Sequence, residues 1–295
     1  MLAMERLGNG QEPPRHPRAL SSAPAELTCQ RLQRIGEGVG KVVYASEHWV
    51  VRRERSSSEI IALIVIWKLA RRIAHFIPGG DKLFERPSHR NRLFRVMMQS
   101  LILLVPRGLW YTTHIGEVWR IYRFRSERGE SLAQTCLHGT ALVPEEVIFP
   151  PTRVQVGGWP GWLEVSQATQ RVEDTLYARL VELAEEGRFE EVEEWLNRFL
   201  ELRQAGWSRG VFSMDAHLKN FGVCGDRVVL IDTGGLTDSW SEIQTRLGTE
   251  QNDVDPHIRL GMGSLLASRP DIAERFNSRW RAVVSSEGVR QHWPE

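Results

Sequence analysis

Asp215, Asn220 and Asp232 are the residues of this chain whose types and spacing suit chemistry. Asp215 and Asn220 share one turn-rich segment, SMDAHLKN (213–220), and Asp232 closes another, RVVLID (227–232). Between them the apolar runs FGVC and RVVLI, joined by Gly225 and Asp226, predict a β-hairpin. A hairpin there returns the chain and gathers the three polar side chains at one place. One free carboxylate beside an amide and a second carboxylate suits phosphoryl transfer. The free carboxylate can orient or accept the proton of an attacking hydroxyl. The Asn and Asp oxygens can hold a magnesium ion against the charge on the transferring group. Taken singly, an Asp or Asn in a turn closes an Asx turn or caps a helix. The joint spacing is what favours a site.

The elements that must position these residues can be read along the chain. Residues 1–28 begin polar, proline-containing and aperiodic, which predicts a disordered lead-in. LQRIGEGVGKVVYAS (32–46) reads as two strands around glycines, and HWVVRRE (48–54) as a third. Ser56, Ser57 and Ser58 with Glu59 mark a helix start, with a body over 60–77 that Pro78 stops, and a second helix is expected over 91–104. Strands are expected again over 113–124 and around WLEVSQ (162–167), and helices from Glu173 onward to the end, interrupted by the hairpin. The order implies an α+β fold. It falls into a strand-rich part over 29–166 with a helical insertion, and a mainly helical part over 167–295.

The motif D-A-H-L-K-N followed by strand, turn, strand and I-D-T-G resembles the catalytic and metal-binding loops of the protein-kinase-like superfamily. His217, two residues after Asp215, is similar to the pattern of aminoglycoside phosphotransferases and phosphoinositide kinases, and DAHLKNFGV to that of HipA-type kinases. The resemblance covers roughly 32–238. It implies a two-lobed kinase-like fold with a small antiparallel-sheet N-lobe and a mainly helical C-lobe. It also implies ATP and Mg2+ as cofactors, Asp215 as catalytic base, Asn220 and Asp232 as metal ligands, and a packing role for His217. Gly36-Glu-Gly-Val-Gly40 resembles a glycine-rich phosphate loop, so Gly36, Gly38 and Gly40 are candidate nucleotide contacts. Arg52 stands where the family carries its phosphate-binding lysine, with Glu59 or Glu85 as its helix partner. The adenine is expected against a connector near Glu164, over 164–167. Ser213 replaces the family's histidine two residues before the catalytic Asp, and Thr233 its phenylalanine. These departures, with Arg52, keep a second reading open: an inactive pseudokinase that binds nucleotide or serves as a scaffold.

Composition narrows the alternatives. A net charge of +1 gives no global attraction to nucleic acid. The three cysteines, Cys29, Cys136 and Cys224, form no C-x-x-C pair, so neither a disulfide framework nor a zinc site is implied, and a cytoplasmic location is expected. The apolar run 60–67 is too short to span a bilayer. Lys68, Arg71, Arg72 and His75 beyond it read as the solvated basic end of a core helix, and Arg86, His89, Arg90, Arg92 and Arg95 suit an anionic substrate or phospholipid. Peripheral membrane contact is the less favoured reading of the first group. V-V-L-I-D-T-G-G also looks like an aspartic-peptidase strand, but that chemistry needs two facing carboxylates, and no second D-T-G or D-S-G occurs. No G-x-S-x-G or H-E-x-x-H is present. The expectation is therefore a phosphotransferase acting on a hydroxyl of a protein or small molecule.

Overall fold

Strand alternation decides which side chains face the site. Along KVVYA and WVVRRE, successive residues point to opposite faces. Val42, Tyr44 and Val51 are buried on one face, whereas Lys41, Val43 and Arg52 lie on the other. The computed structural model describes residues 17–37, 40–56, 58–60, 115–158, 160–250 and 254–294. The fold is mixed α+β. A largely antiparallel six-stranded sheet has the order β1-β5-β6-β4-β3-β2. Its strands are β1 (Arg18–Ala19), β2 (Gln33–Glu37), β3 (Lys41–Ala45), β4 (Trp49–Glu54), β5 (Glu146–Gln155) and β6 (Trp162–Gln170). The short β1 pairs parallel with β5, and a lone parallel bridge joins Leu32 to Val156.

One face of this sheet closes a core of Val42, Tyr44, Val51, Val147, Phe149, Val154 and Val165 with Leu27. A second core is built by helices α3 (Leu176–Glu185), α4 (Phe189–Trp207), α5 (Trp240–Glu250), α7 (Pro270–Val283) and α8 (Ser286–His292). It encloses the β9–β10 hairpin (Phe221–Cys224 and Arg227–Leu230) and the two-stranded ribbon of β8 (Phe212–Ser213) and β11 (Leu236–Thr237). The short β7 (Asp174–Thr175) extends the hairpin, and α6 (Pro256–Arg259) caps the α7 side.

Several expectations are corrected. Of the segment expected as a strand over 113–124, the described part, from Ile115 on, lies in helix α2 (Ile115–Leu132), which passes into a π-helical turn, Ala133–Leu137. The β-branched and aromatic residues of IGEVWRIYRF suggest a strand, but tertiary contacts of its C-terminal half outweigh that propensity. The Arg123–Glu127 pair at 2.6 Å adds i,i+4 support. The lead-in is ordered from residue 17. Leu20 N donates to Ile148 O (2.8 Å), and helix α1 (Ala25–Cys29) buries Leu27 completely. Residues 1–16 lie outside the described residues. Strand β5 had no sequence signal because Pro150 and Pro151 interrupt it. The register shifts across them between Ile148 and Thr152, as proline demands in a ladder. The sheet runs on to Gln170, so the crossing to the second core falls at 171–173 rather than after 166.

The expected helix start is present. Ser56 N donates to Glu59 Oε2 (2.8 Å) and Glu59 N to Ser56 Oγ (3.3 Å), a reciprocal capping box. Its body over 61–77, the helix over 91–104 and both basic groups lie outside the described residues. Among the described residues no helix is long and apolar enough to cross a membrane.

Leu27→Ala tests the ordered lead-in. Removing a side chain with no solvent exposure costs about 2–5 kcal/mol, measurable by urea unfolding. A lead-in that did not join the core would leave the midpoint unchanged.

Candidate active site

The β8–β11 ribbon sets two loops side by side. Ser213 pairs with Leu236, and Met214 N donates to Gly235 O at 2.8 Å. The chain leaving β8 carries Asp215, and the chain entering β11 carries Asp232. Between them a 3-10 turn (Leu218–Asn220) leads into the β9–β10 hairpin, which brings the chain back on itself. Ile231 N and Asp232 N then both donate to Asn220 O, at 3.0 and 3.2 Å. Asn220 Nδ2 donates to Asp215 O at 3.3 Å. Hydrogen bonds therefore join Asp215, Asn220 and Asp232 directly.

The same bonds orient the oxygens. With Nδ2 held by Asp215, the Asn220 amide presents Oδ1 on its other side. Asp232 Oδ1 accepts from Gly234 N (3.0 Å), and Asp215 Oδ1 accepts from His217 N (3.3 Å). Each carboxylate keeps a second oxygen with no hydrogen-bond donor among the described residues. His217 packs: its Nδ1 accepts from Lys219 N (3.3 Å) and its ring lies by Tyr177 and Gly261. Ser213 Oγ props the Asp215 carbonyl at 3.1 Å.

The polar face of the sheet lies opposite. Arg52 Nη2 donates to Ile231 O at 3.1 Å, and its charge acts on Asp232. Surrounding protein pulls the Arg52 pKa down, while Asp232 and Glu146 push it back up. A guanidinium stays charged under such opposing influences. Lys41, on the same face one strand over, forms an ion pair with Glu130 of α2. Burial, then the neighbouring Arg52, pulls the Lys41 pKa down, and Glu54 and Asp232 oppose them. The Glu130 carboxylate lies in contact with the ammonium. Behind Arg52, Glu146 Oε2 lies 3.2 Å from Nε2 of the nearly buried His138, although the pair is not aligned for a hydrogen bond.

Helix α2 reaches this site because of Gly129. A Cβ built there would lie 2.2 Å from Thr233 O and 3.1 Å from Gly234 C, so the helix touches the D-T-G-G loop backbone to backbone. Arg128, one residue earlier, pairs with Asp238 and with Glu242 (3.3 Å to Oε1).

The structure thus brings together Asp215, Asn220, Asp232 and Arg52. Gly36 sits in β2 opposite Val43, after a register shift, and Gly40 directly precedes Lys41 with its carbonyl accepting from Arg55 N (2.7 Å). Gly38 lies outside the described residues. Glu164 is not on a connector: it lies within β6, opposite Arg153. Glu59 pairs with Arg53, not Arg52, through two bonds of 2.9 and 3.0 Å. Neighbouring strand residues face opposite ways, so one glutamate cannot serve both arginines. Glu85 lies outside the described residues. The sequence reading missed Lys41 and Glu130. The lysine stands directly after the glycine turn, which was a usable signal. The glutamate was hidden because its helix read in part as a strand.

The donor set suits a hard cation. Asn220 and Asp232 offer oxygens only, and magnesium commonly takes one or two protein ligands and completes its shell with water and phosphate oxygen. Among the described residues no cluster of three or more His, Cys, Asp or Glu side chains could hold a metal by itself. A cavity of about 30 Å3 behind the ribbon, lined by Leu137, Leu142, Leu202, Trp207, Ser213 and Leu236, is water-sized and lies on the core side of Ser213. No protein-family model matches the chain, and neither does any curated protein.

Gly129→Ala separates contact from propensity. In an ordinary helix interior the change stabilises by about 1 kcal/mol. Here the added methyl meets Thr233 O, and overpacking of this kind destabilises by about 1–3 kcal/mol. The sign of the shift in a urea unfolding midpoint decides the matter.

Proposed function

We propose that the chain is an ATP- and Mg2+-dependent phosphotransferase with a two-lobed, protein-kinase-like fold, moving the γ-phosphoryl group to a hydroxyl of a protein or small-molecule acceptor. The observation that carries the reading is the hydrogen-bonded set Asp215–Asn220–Asp232 facing two cations, Lys41 and Arg52. Two cations side by side on the sheet face opposite the loop suit a polyphosphate, whose several oxygens can pair with both. The motif resemblance at 213–220 and 231–234 points the same way.

In this reading Asp215 orients the acceptor hydroxyl and takes its proton through the carboxylate oxygen not engaged by His217 N. Asn220 Oδ1 and the second carboxylate oxygen of Asp232 hold the metal. Magnesium bound there would neutralise charge on the transferring group. Lys41 and Arg52 bind phosphate oxygens, the lysine as a point charge and the arginine as a planar fork. Val43, on the same sheet face, supplies an apolar surface beside them. The acceptor side faces solvent, and both Asp215 and Asp232 are exposed. We place the protein in the cytoplasm and assign it no nucleic-acid partner.

One observation favours the alternative, a pseudokinase that binds nucleotide or scaffolds partners. Arg52 spends a guanidinium N–H on Ile231 O, a structural bond that a catalytic lysine would not make.

The two readings part on simple measurements. With saturating ATP and magnesium the unfolding midpoint should rise, since a ligand at about 100 times its Kd contributes roughly 2.7 kcal/mol. Asp232→Ala should remove the metal-dependent part of that rise. Asp215→Ala should keep it while lowering labelled-ATP turnover by about 10²–10⁴-fold. A wild-type protein whose midpoint is indifferent to ATP and magnesium would leave only the scaffold reading.

A further inference from the structure

Three consecutive residues of α2 meet three different parts of the molecule. Arg128 pairs with Asp238 and Glu242, just beyond β11. Gly129 lies against the Thr233–Gly234 backbone, and Glu130 pairs with Lys41 of β3. Successive helical residues are set about 100° apart around the axis. The three contacts therefore spread over about 200° of the helix circumference. Turning or sliding α2 to improve one would break another, so the helix has one setting in which all three hold.

Arg128 touches none of the reacting groups, yet its anchor is doubly secured. Glu242 Oε2 also accepts from Thr237 Oγ1, which in turn accepts from Ser239 N at 3.1 Å. Asp238 is held below the usual carboxylate range mainly by its hydrogen bond from Arg128. The guanidinium thus grips a preformed acceptor at the end of the segment that begins with Asp232. Asp238 and Glu242 face the guanidinium, while Ser126, one helical turn before Glu130, lies 3.4 Å from Glu130 Oε1 through its hydroxyl.

We propose that Arg128 is a positioning residue for the candidate active site, acting through the turn it anchors to hold Glu130 on Lys41. The inference rests on the phosphotransferase reading for its consequence in nucleotide binding, but the coupling of Arg128 to Lys41 is a property of the chain alone. Without the anchor, α2 is free to shift, Glu130 leaves Lys41, and burial with Arg52 nearby favours the uncharged amine. An amine freed from its carboxylate, with its pKa drawn down, reacts faster with an acylating reagent than a paired ammonium.

The test uses the full chain and two readouts, with circular dichroism confirming that each variant is folded. Acylation of Lys41 by an amine-reactive ester, followed by peptide mass spectrometry, should run at least about fivefold faster in Arg128→Met and return towards wild type in Arg128→Lys, on the principle that loss of a coupled pair is worth up to tenfold or more. MgATP affinity by calorimetry should fall about tenfold in Arg128→Met, but by less than about twofold when the same change is made on Lys41→Met, because coupled residues are non-additive. An unchanged Lys41 acylation rate in folded Arg128→Met overturns the proposal. So does an undiminished affinity loss on the Lys41→Met background, which would mean that Arg128 acts independently of the lysine. If wild type binds no MgATP, the phosphotransferase reading falls, and the acylation rates alone then decide the role of Arg128.

Discussion

Two cations held side by side by strand register are the constraint around which the site is arranged. Lys41 and Arg52 lie on one face of neighbouring antiparallel strands, and the guanidinium makes the ammonium harder to charge. Repulsion of this kind persists in a folded protein only where carboxylates stand close by. They come from separate segments: Glu130 from α2, Asp232 from the loop before β11, and Glu146 from β5. The sheet, the helix and the loop are therefore tied together by charge as well as by packing.

The loop half of the site is held differently, by short-range backbone bonds. One carbonyl, that of Asn220, receives two N–H groups, and one side-chain amide reaches the carbonyl of Asp215. These bonds need no burial and little packing, because the hairpin between the two motifs sets the distance. That explains why the loop half could be inferred from residue types and spacing, whereas on the sheet half Arg52 was found and Lys41 was not. Gly129 joins the halves, since a backbone-to-backbone contact transmits position without the slack of a side chain.

Local signals were read correctly wherever the neighbourhood in sequence was also the neighbourhood in space. The strands around the glycine turn, β4, β6, the β9–β10 hairpin, the long helices after 173 and the capped helix start at Ser56 are all of this kind. The errors share the opposite character. Helix α2 carries strand-forming residues and is favoured by contacts with residues more than a hundred positions away. Strand β5 contains two prolines and survives because β6 pairs with it on either side of a register shift. The stretch around Leu27 has lead-in composition but packs under the sheet. Glu59 was assigned to the wrong arginine because sequence proximity does not say which face of a strand a side chain takes.

The amino-acid sequence by itself determined the α+β order of elements and the identity of the acidic and amide groups, because a hairpin of fixed length forces Asp215, Asn220 and Asp232 into one neighbourhood. Only the tertiary structure decided which cation carries a carboxylate partner and which helix supplies it. Pairing across the sheet, and the approach of α2 permitted by one missing methyl group, depend on contacts between distant segments. Their energies are set by packing and shared charge, which no local pattern of residues encodes.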